Sequence, residues 1–191
     1  MTDMKIGIYG GTFDPIHHAH LILARDAIET LSLEKVIFVP AAVSPFKKCA
    51  PSASGELRLS MLRAAVQNEM RFSVDDCELH RPPPSFTIDT VEEIQRREPG
   101  GQLHCLVGED NVAGLPKWHR FAELEKIVRF VVLDRTGLLA EPSYPVIRRK
   151  IQISATEIRK RVASHRSIRY LVPEEVEEII RREKLYQGEP K

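Results

Sequence analysis

The chain has 191 residues, of which 42% are hydrophobic and 29% are charged, and its formal net charge is +1. This is the composition of an ordinary globular protein of about one domain, so it excludes a disordered chain. A net charge this close to zero does not support non-specific binding to nucleic acid or membranes, and no apolar run is long enough to span a bilayer. We therefore predict neither kind of partner.

The cysteine pattern bears on the compartment. Cys49, Cys77 and Cys105 are odd in number and far apart, without a C-x-x-C pair. This pattern favours free thiols in a reducing environment. The first residues lead directly into a strand-like segment and lack the basic stretch and apolar run of a signal peptide. We therefore expect a cytoplasmic protein.

Short apolar segments alternate with amphipathic ones along the chain. In chain order, hydrophobic periodicity predicts a strand at 5–9, a helix at 18–31, a strand at 36–39, a helix at 55–69, an extended stretch at 71–79, a helix at 88–97, a strand at 103–107, a helix at 121–126, a strand at 128–133, and helices at 156–164 and 173–184. The strands are continuous apolar runs, as expected when both faces of a sheet are covered.

Alternation of this kind predicts parallel strands joined by right-handed crossovers. We therefore predict an α/β fold, a Rossmann-like open parallel sheet with helices on both faces and a C-terminal helical segment. We expect a single domain over 1–191, with its helical part at about 154–187. In such sheets ligands bind beyond the carboxyl ends of the strands, so residues that follow strands are the candidates for a site.

The turn after the first strand has the chemistry of a phosphate site. Gly10 and Gly11 permit a tight turn and let the backbone approach a ligand closely. The helix that follows offers free N–H groups and the positive end of its dipole. His17 and His20 are three residues apart, so they share one face of that helix and can donate hydrogen bonds to phosphate oxygens.

Two other interpretations of this turn exist. The glycines alone make an ordinary turn, and the histidines alone are ordinary surface residues. A zinc site built from His17, His18 and His20 is a further alternative, but no cysteine or carboxylate nearby completes a ligand set. The joint placement of the glycines and the spaced histidines after a first strand favours the phosphate site.

A second segment, at 153–159, predicts another phosphate contact. Ser154 is a good N-cap, and Glu157 three residues later completes a capping box. A helix N-terminus capped in this way can also bind phosphate. Arg159 lies one turn into the helix, where its planar guanidinium can reach a phosphate group, and Thr156 adds a hydroxyl.

Together these two segments resemble the signatures of the nucleotidyltransferase superfamily. Residues 10–20 resemble G-x-F-x-P-x-H-x-G-H, with Ala19 in place of the glycine between the histidines. Residues 153–159 resemble I-S-S-T-x-x-R, with Ala155 in place of the second serine. The two motifs stand near opposite ends of the chain and in the order that the superfamily has.

The resemblance implies an ATP site and a catalytic group. The implied ATP-binding residues in these motifs are Gly10, Gly11, Phe13, His17, His20, Ser154, Thr156 and Arg159. Of these, it implies that His17, His20 and Arg159 are catalytic, because they stabilise the negative charge that builds on the leaving pyrophosphate. A metal site built from protein side chains is not implied. Mg²⁺ is expected as the cofactor, bound mainly through the phosphates of ATP.

Three further segments resemble the nicotinate-nucleotide adenylyltransferases within that superfamily. Residues 39–47 resemble V-P-x-x-x-P-P-H-K, with Phe46 in place of the histidine. Residues 85–90 resemble S-Y-T-x-D-T, and residues 108–118 resemble G-x-D followed by L-x-x-W. Without the resemblance, these segments are loops and helix caps, and Trp118 is a core or surface anchor.

This second resemblance implies an acceptor and its site. The residues that it implies for nicotinic acid mononucleotide are Thr12, Lys47, Thr87 and Trp118. The resemblance also implies that Gly108 and Asp110 belong to the ATP site, where the carboxylate can bind a ribose hydroxyl. The implied reaction moves AMP from ATP to the mononucleotide and releases pyrophosphate, a step of NAD biosynthesis.

Alternatives remain open at the level of the sequence. The acceptor can instead be nicotinamide mononucleotide or phosphopantetheine. The chain can also be a non-catalytic nucleotide-binding module, an alternative that the departures at Ala19, Ala42, Phe46 and Ala155 keep open. A homo-oligomer is compatible with the sequence, which does not determine the number of subunits.

Overall fold

The computed structural model describes residues 4–42, 50–82, 84–137 and 143–188. Within these ranges one sheet contains β1 (Lys5–Gly11), β2 (Lys35–Pro40), β3 (Phe72–Val74), β4 (Gln102–Gly108), β5 (Val128–Asp134) and β6 (Val146–Arg148). The strands lie in the order β3-β2-β1-β4-β5-β6, and every neighbouring pair is parallel.

The helices of the described ranges are α1 (His18–Leu31), α2 (Gly55–Val66), α3 (Thr87–Arg97), α4 (Phe121–Ile127), α5 (Ala155–Ala163) and α6 (Glu174–Arg182). Two 3₁₀ segments, Cys77–His80 and Glu109–Lys117, connect them to the strands. None of these helices is long and apolar enough to cross a bilayer.

The sheet is buried on both faces because side chains along a strand alternate between its two sides. On one side, Phe38 and Leu106 pack with residues of α1, α2, α5 and α6 in one apolar cluster. On the other side, Ile8 and Cys105 pack with residues of α3 and α4 in a second cluster. The predicted Rossmann-like parallel sheet with helices on both faces is confirmed.

The extended stretch predicted at 71–79 is shorter in the structure. Only β3 pairs with the sheet, and a 3₁₀ segment follows it. The cause is local, since Asp75 Oδ1 accepts the N–H of Cys77 at 3.0 Å and turns the chain away from the strand direction. The periodicity also missed β6 and the 3₁₀ segment after β4, both of which lack a long apolar repeat.

The strand order fixes where a ligand can enter. From β1 the chain moves outward to β2 and β3, and then returns to the other side of β1 to form β4. The connections after β1 and β4 therefore leave in opposite directions, and their divergence opens a crevice at the carboxyl ends of these two strands. The candidate site lies at this switch point.

Candidate active site

A cleft of about 1300 Å³ opens at the carboxyl ends of β1, β4 and β5. Every predicted site residue within the described ranges lines it. These residues are Gly10, Gly11, Thr12, Phe13, His17, His20, Thr87, Gly108, Asp110, Trp118, Ser154, Thr156 and Arg159. Lys47 lies outside the described residues. The fold thus brings together segments that are far apart in the sequence.

The two glycines of the first turn differ in their surroundings, so glycine serves a different purpose at each position. A Cβ on Gly11 would lie 2.8 Å from the ring of Phe13, so packing of that ring already requires glycine. At Gly10 no heavy atom of the described residues lies within 4 Å of the Cβ position, which leaves this stretch of backbone open to the cleft. Close approach of a ligand to the backbone is therefore available at Gly10.

His17 and His20 form a stacked pair at the start of α1. Their ring centroids are 3.6 Å apart, with an angle of 18° between the planes. The backbone N–H of His17 donates to His20 Nδ1 at 3.3 Å. Phe13 packs edge-on against His20 at 5.1 Å between centroids, so its buried ring supports the imidazole from the side. This packing fixes the orientation of both imidazoles before any ligand arrives.

His17 is neutral at neutral pH. It is 2% exposed, and burial together with the positive charge of Arg135 lowers its pKa to about 3. Its Nδ1 is buried and has no hydrogen-bond partner in the described part of the chain. A phosphate group beside the ring would supply a partner and favour the protonated form.

The burial of His17 predicts a pH dependence of folding stability. Because its pKa falls from 6.5 to about 3, the unfolded chain holds a proton there between these values that the folded protein lacks. His17 therefore adds no pH dependence to the free energy of unfolding above pH 6.5. As the pH falls below this value, it lowers that free energy by at most about 1.4 kcal/mol per pH unit. We expect His17→Gln to remove this component in denaturant unfolding measured between about pH 7 and about pH 4.5.

The exposed His165 provides the matched control. His165→Gln is expected to follow the wild-type pH profile, because this side chain is exposed and its replacement alters no buried group. If His17→Gln and wild type lose stability in parallel over this pH range, a neutral buried His17 is contradicted.

Arg159 connects the second motif to the first turn. Its Nη1 donates to the backbone carbonyl of Asp14 at 2.6 Å, and its Nη2 donates to Thr156 Oγ1 at 3.4 Å. Ser154 caps α5 through its Oγ, which accepts the N–H of Glu157 at 3.2 Å, as the capping pattern predicts. The N-termini of α1 and α5 therefore both border the cleft, and each directs positive dipole ends toward it.

The segment after β4 forms another wall of the cleft. A Cβ on Gly108 would lie 2.6 Å from Asp110 Oδ1, so this glycine lets the carboxylate fold back against the end of the strand. Asn111 Nδ2 donates to the same oxygen at 3.0 Å. Arg135, which follows β5, pairs with Glu109 at 3.2 Å and also lines the cleft.

Aromatic residues line the cleft on the side of the sheet that α3 and α4 cover. Trp118 packs edge-on against Phe130, with 6.2 Å between centroids, and Phe86 stacks on His119 at 4.3 Å. Thr87 begins α3 beside Phe86 and lines the same region. Flat rings of this kind can pack against a planar ligand.

A buried carboxylate, which the sequence did not reveal, also lines the cleft. Glu78 is 7% exposed, accepts the hydroxyl of Thr90 at 2.7 Å and borders the cleft. Burial raises its pKa, which the hydrogen bonds from Thr90 and Ser85 partly oppose. Arg81 donates to the same Thr90 hydroxyl at 2.5 Å. Glu78 lies in a short 3₁₀ segment, which gives no periodic signal that would have identified it.

The described residues contain no group of three or more His, Cys, Asp or Glu side chains arranged to hold a metal ion. The imidazoles of the first turn face one another as a stacked pair instead of converging on a point. The zinc alternative for this turn thus has no support in the geometry.

Comparison with known proteins agrees with this architecture. A family model described as Cytidylyltransferase-like matches residues 8–161. Among solved structures, Plasmodium falciparum nicotinic acid mononucleotide adenylyltransferase complexed with NaAD superposes with a TM-score of 0.79, at 21% sequence identity, over 96% of this chain and 98% of that chain. The fold and the cleft at its switch point therefore define a protein of the nucleotidyltransferase class.

Curated relatives narrow the class to a family. A probable nicotinate-nucleotide adenylyltransferase of Methylacidiphilum infernorum (isolate V4) is 40% identical, over 97% of this chain and 93% of the relative. Another, from Exiguobacterium sibiricum, is 42% identical over 96% of this chain and 99% of the relative. The chain belongs to the nicotinate-nucleotide adenylyltransferase family.

Proposed function

We propose that this protein transfers AMP from ATP to nicotinic acid mononucleotide, giving nicotinic acid adenine dinucleotide and pyrophosphate in NAD biosynthesis. The observation that carries the proposal is a single cleft lined from both sides of the sheet. Stacked imidazoles and a guanidinium line it on the side of α1 and α5, and aromatic residues line it on the side of α3 and α4. The first side suits a triphosphate, and the second suits a pyridine ring.

In the proposed reaction, an oxygen of the acceptor's 5′-phosphate attacks the α-phosphorus of ATP in line. A P–O bond forms there while the bond to the β-phosphate breaks, and pyrophosphate leaves with the electron pair. The attacking phosphate is already anionic, so no protein nucleophile is required. The protein's contribution is then positioning and charge stabilisation, which we assign to His17, His20 and Arg159.

We assign the rest of the ATP site by the same geometry. Gly10 offers open backbone, and the capped N-terminus of α5 offers the hydroxyls of Ser154 and Thr156 to the phosphates. Asp110 suits a ribose hydroxyl. We infer that Mg²⁺ arrives with ATP, held by phosphate oxygens and water, because this cation gives up its water ligands reluctantly.

On the acceptor side, we propose that the pyridine ring packs on Trp118. Thr87 is proposed to donate to the nicotinate carboxylate, and Thr12, which also lines the cleft, to contact the mononucleotide. Lys47 is proposed for its 5′-phosphate on the sequence resemblance. We also infer a cytoplasmic location, which Cys77 and Cys105 support because both are buried free thiols.

One experiment tests the proposal directly. Purified protein is incubated with ATP and Mg²⁺ and with nicotinic acid mononucleotide, nicotinamide mononucleotide or phosphopantetheine, and pyrophosphate release is followed. We expect the highest kcat/KM with nicotinic acid mononucleotide. Preference for another acceptor would reassign the substrate, and absence of release with all three would favour the non-catalytic nucleotide-binding alternative.

Replacing Trp118 by alanine is expected to raise the KM for nicotinic acid mononucleotide by about 10-fold and to leave the KM for ATP nearly unchanged. The reason is the loss of stacking area, which is worth about 1–2 kcal/mol for one aromatic contact. Steady-state kinetics with each substrate varied in turn measures both constants.

Trp118→Phe serves as the matched variant, because it keeps a flat ring and is expected to recover most of the acceptor affinity. An equal rise in both KM values for Trp118→Ala would argue against a pyridine site at this indole.

A further inference from the structure

Asp14, in the turn between β1 and α1, connects separate parts of the chain. Asp14 is buried, with an exposed fraction of 5%. One carboxylate oxygen accepts the N–H of Ser52 at 2.7 Å. The other accepts the N–H of Ala53 at 3.2 Å and the hydroxyl of Tyr186 at 2.7 Å. The turn is therefore held both by the backbone that leads into α2 and by a side chain from the C-terminal end.

Tyr186 reaches Asp14 from an unusual backbone conformation. It follows α6 with a φ of 60°, in the left-handed region that side chains other than glycine rarely adopt. Burial and the negative charge of Asp14 raise its pKa, so the hydroxyl stays protonated and donates to the carboxylate. A disfavoured backbone conformation persists only where surrounding contacts hold it. At Tyr186 one such contact is the hydrogen bond to Asp14, and both residues line the cleft.

The main chain of Asp14 contacts Arg159. The carbonyl of Asp14 accepts Arg159 Nη1 at 2.6 Å, so the position of Asp14 determines where this guanidinium sits at the cleft. We propose that Tyr186 is a positioning residue, which acts through Asp14 to orient Arg159 toward the phosphates of ATP. This inference rests on the proposed function, because it requires that Arg159 binds ATP.

The test is a double-mutant cycle of Tyr186→Phe and Arg159→Ala. Tyr186→Phe removes only the hydroxyl, and we expect it to lower kcat/KM for ATP about tenfold, the effect of losing one hydrogen bond to a charged group. The KM for nicotinic acid mononucleotide is expected to stay within about twofold, as the acceptor side is not involved. In the Arg159→Ala background, Tyr186→Phe should cause no further loss, because the effects of two residues that act through one interaction are not additive.

Tyr170 provides the control, since it is 77% exposed and Tyr170→Phe is expected to match wild type. Additive losses in the cycle would overturn the proposal, as would an equal loss for both substrates or an unchanged kcat/KM in Tyr186→Phe. If Tyr186→Phe does not fold, Asp14→Asn replaces it, because an amide cannot accept all the donors that meet this carboxylate.

The same cycle can be measured as ATP binding by calorimetry without any acceptor. A wrong acceptor assignment would abolish turnover with nicotinic acid mononucleotide in wild type but leave the binding cycle readable. A wrong role for Tyr186 would instead leave wild-type turnover intact and give additive losses in the cycle.

Discussion

Replacing His20 by alanine is expected to lower kcat by about 10²–10³, the effect of removing one preorganised donor from a developing oxyanion. The imidazole is held by the stack on His17 and by the edge of Phe13. In the proposed reaction it would meet the leaving pyrophosphate without reorganisation. Pyrophosphate release at saturating concentrations of both substrates measures this decrease. The KM values are expected to change much less, because the interaction strengthens as charge builds in the transition state.

His18 supplies the matched control for this prediction. It lies on the same turn of α1 but is absent from the residues that line the cleft. His18→Ala is expected to keep kcat within about twofold of wild type, as for a surface change outside the site. Near-normal turnover in His20→Ala would remove this imidazole from the catalytic group.

The parts of the site that the sequence predicted lie directly after strands or at helix starts. The first turn and Asp110 could be predicted because the carboxyl ends of parallel strands share one edge of the sheet, whatever the lengths between them. Arg159 was predicted differently, from a capped helix start and the motif that this segment resembles. The spacing of His17 and His20 carried enough local information to place them on one face of α1. Local signals of this kind can be recognised from the sequence alone.

The supporting contacts of the site depend on tertiary structure and left no such signal. Tyr186 and Asp14 are 172 positions apart, and neither flanking sequence marks their hydrogen bond. Glu78 is buried and accepts a hydrogen bond from Thr90, which lies in another element. Hydrophobic periodicity cannot reveal a contact of this kind. Arg135 is different, because it directly follows β5 and its position after a strand end is a signal that could have identified it.

Phe13 shows how a motif residue can have a physical role different from the one that its position suggests. The resemblance assigns it to the ATP site, and it does line the cleft. Its side chain is 3% exposed and packs on His20, on Phe38 and over the Cβ position of Gly11. Its aromatic ring therefore affects the site mainly by fixing the imidazole and the glycine turn.

Removing the Arg159 guanidinium is expected to be as damaging as removing the His20 imidazole, but with a different kinetic signature. Arg159→Ala should lower kcat/KM for ATP by about 10²–10³, because it removes a planar charged fork from the phosphates. Arg159→Lys keeps the charge without the fork and should recover only part of the activity. Initial rates with ATP varied at saturating acceptor measure both variants.

Arg161 is the matched control on the same helix, since it donates to the carbonyl of Ser167 at 2.8 Å and does not line the cleft. Arg161→Ala is expected to keep kcat/KM for ATP within about threefold of wild type, because the hydrogen bond to Ser167 and the ion pair with Glu157 that it removes both lie away from the cleft. If Arg159→Ala instead raises the KM for the acceptor and spares ATP, the triphosphate does not lie between α1 and α5. The imidazoles and the guanidinium would then serve different substrates, although one cleft holds them all.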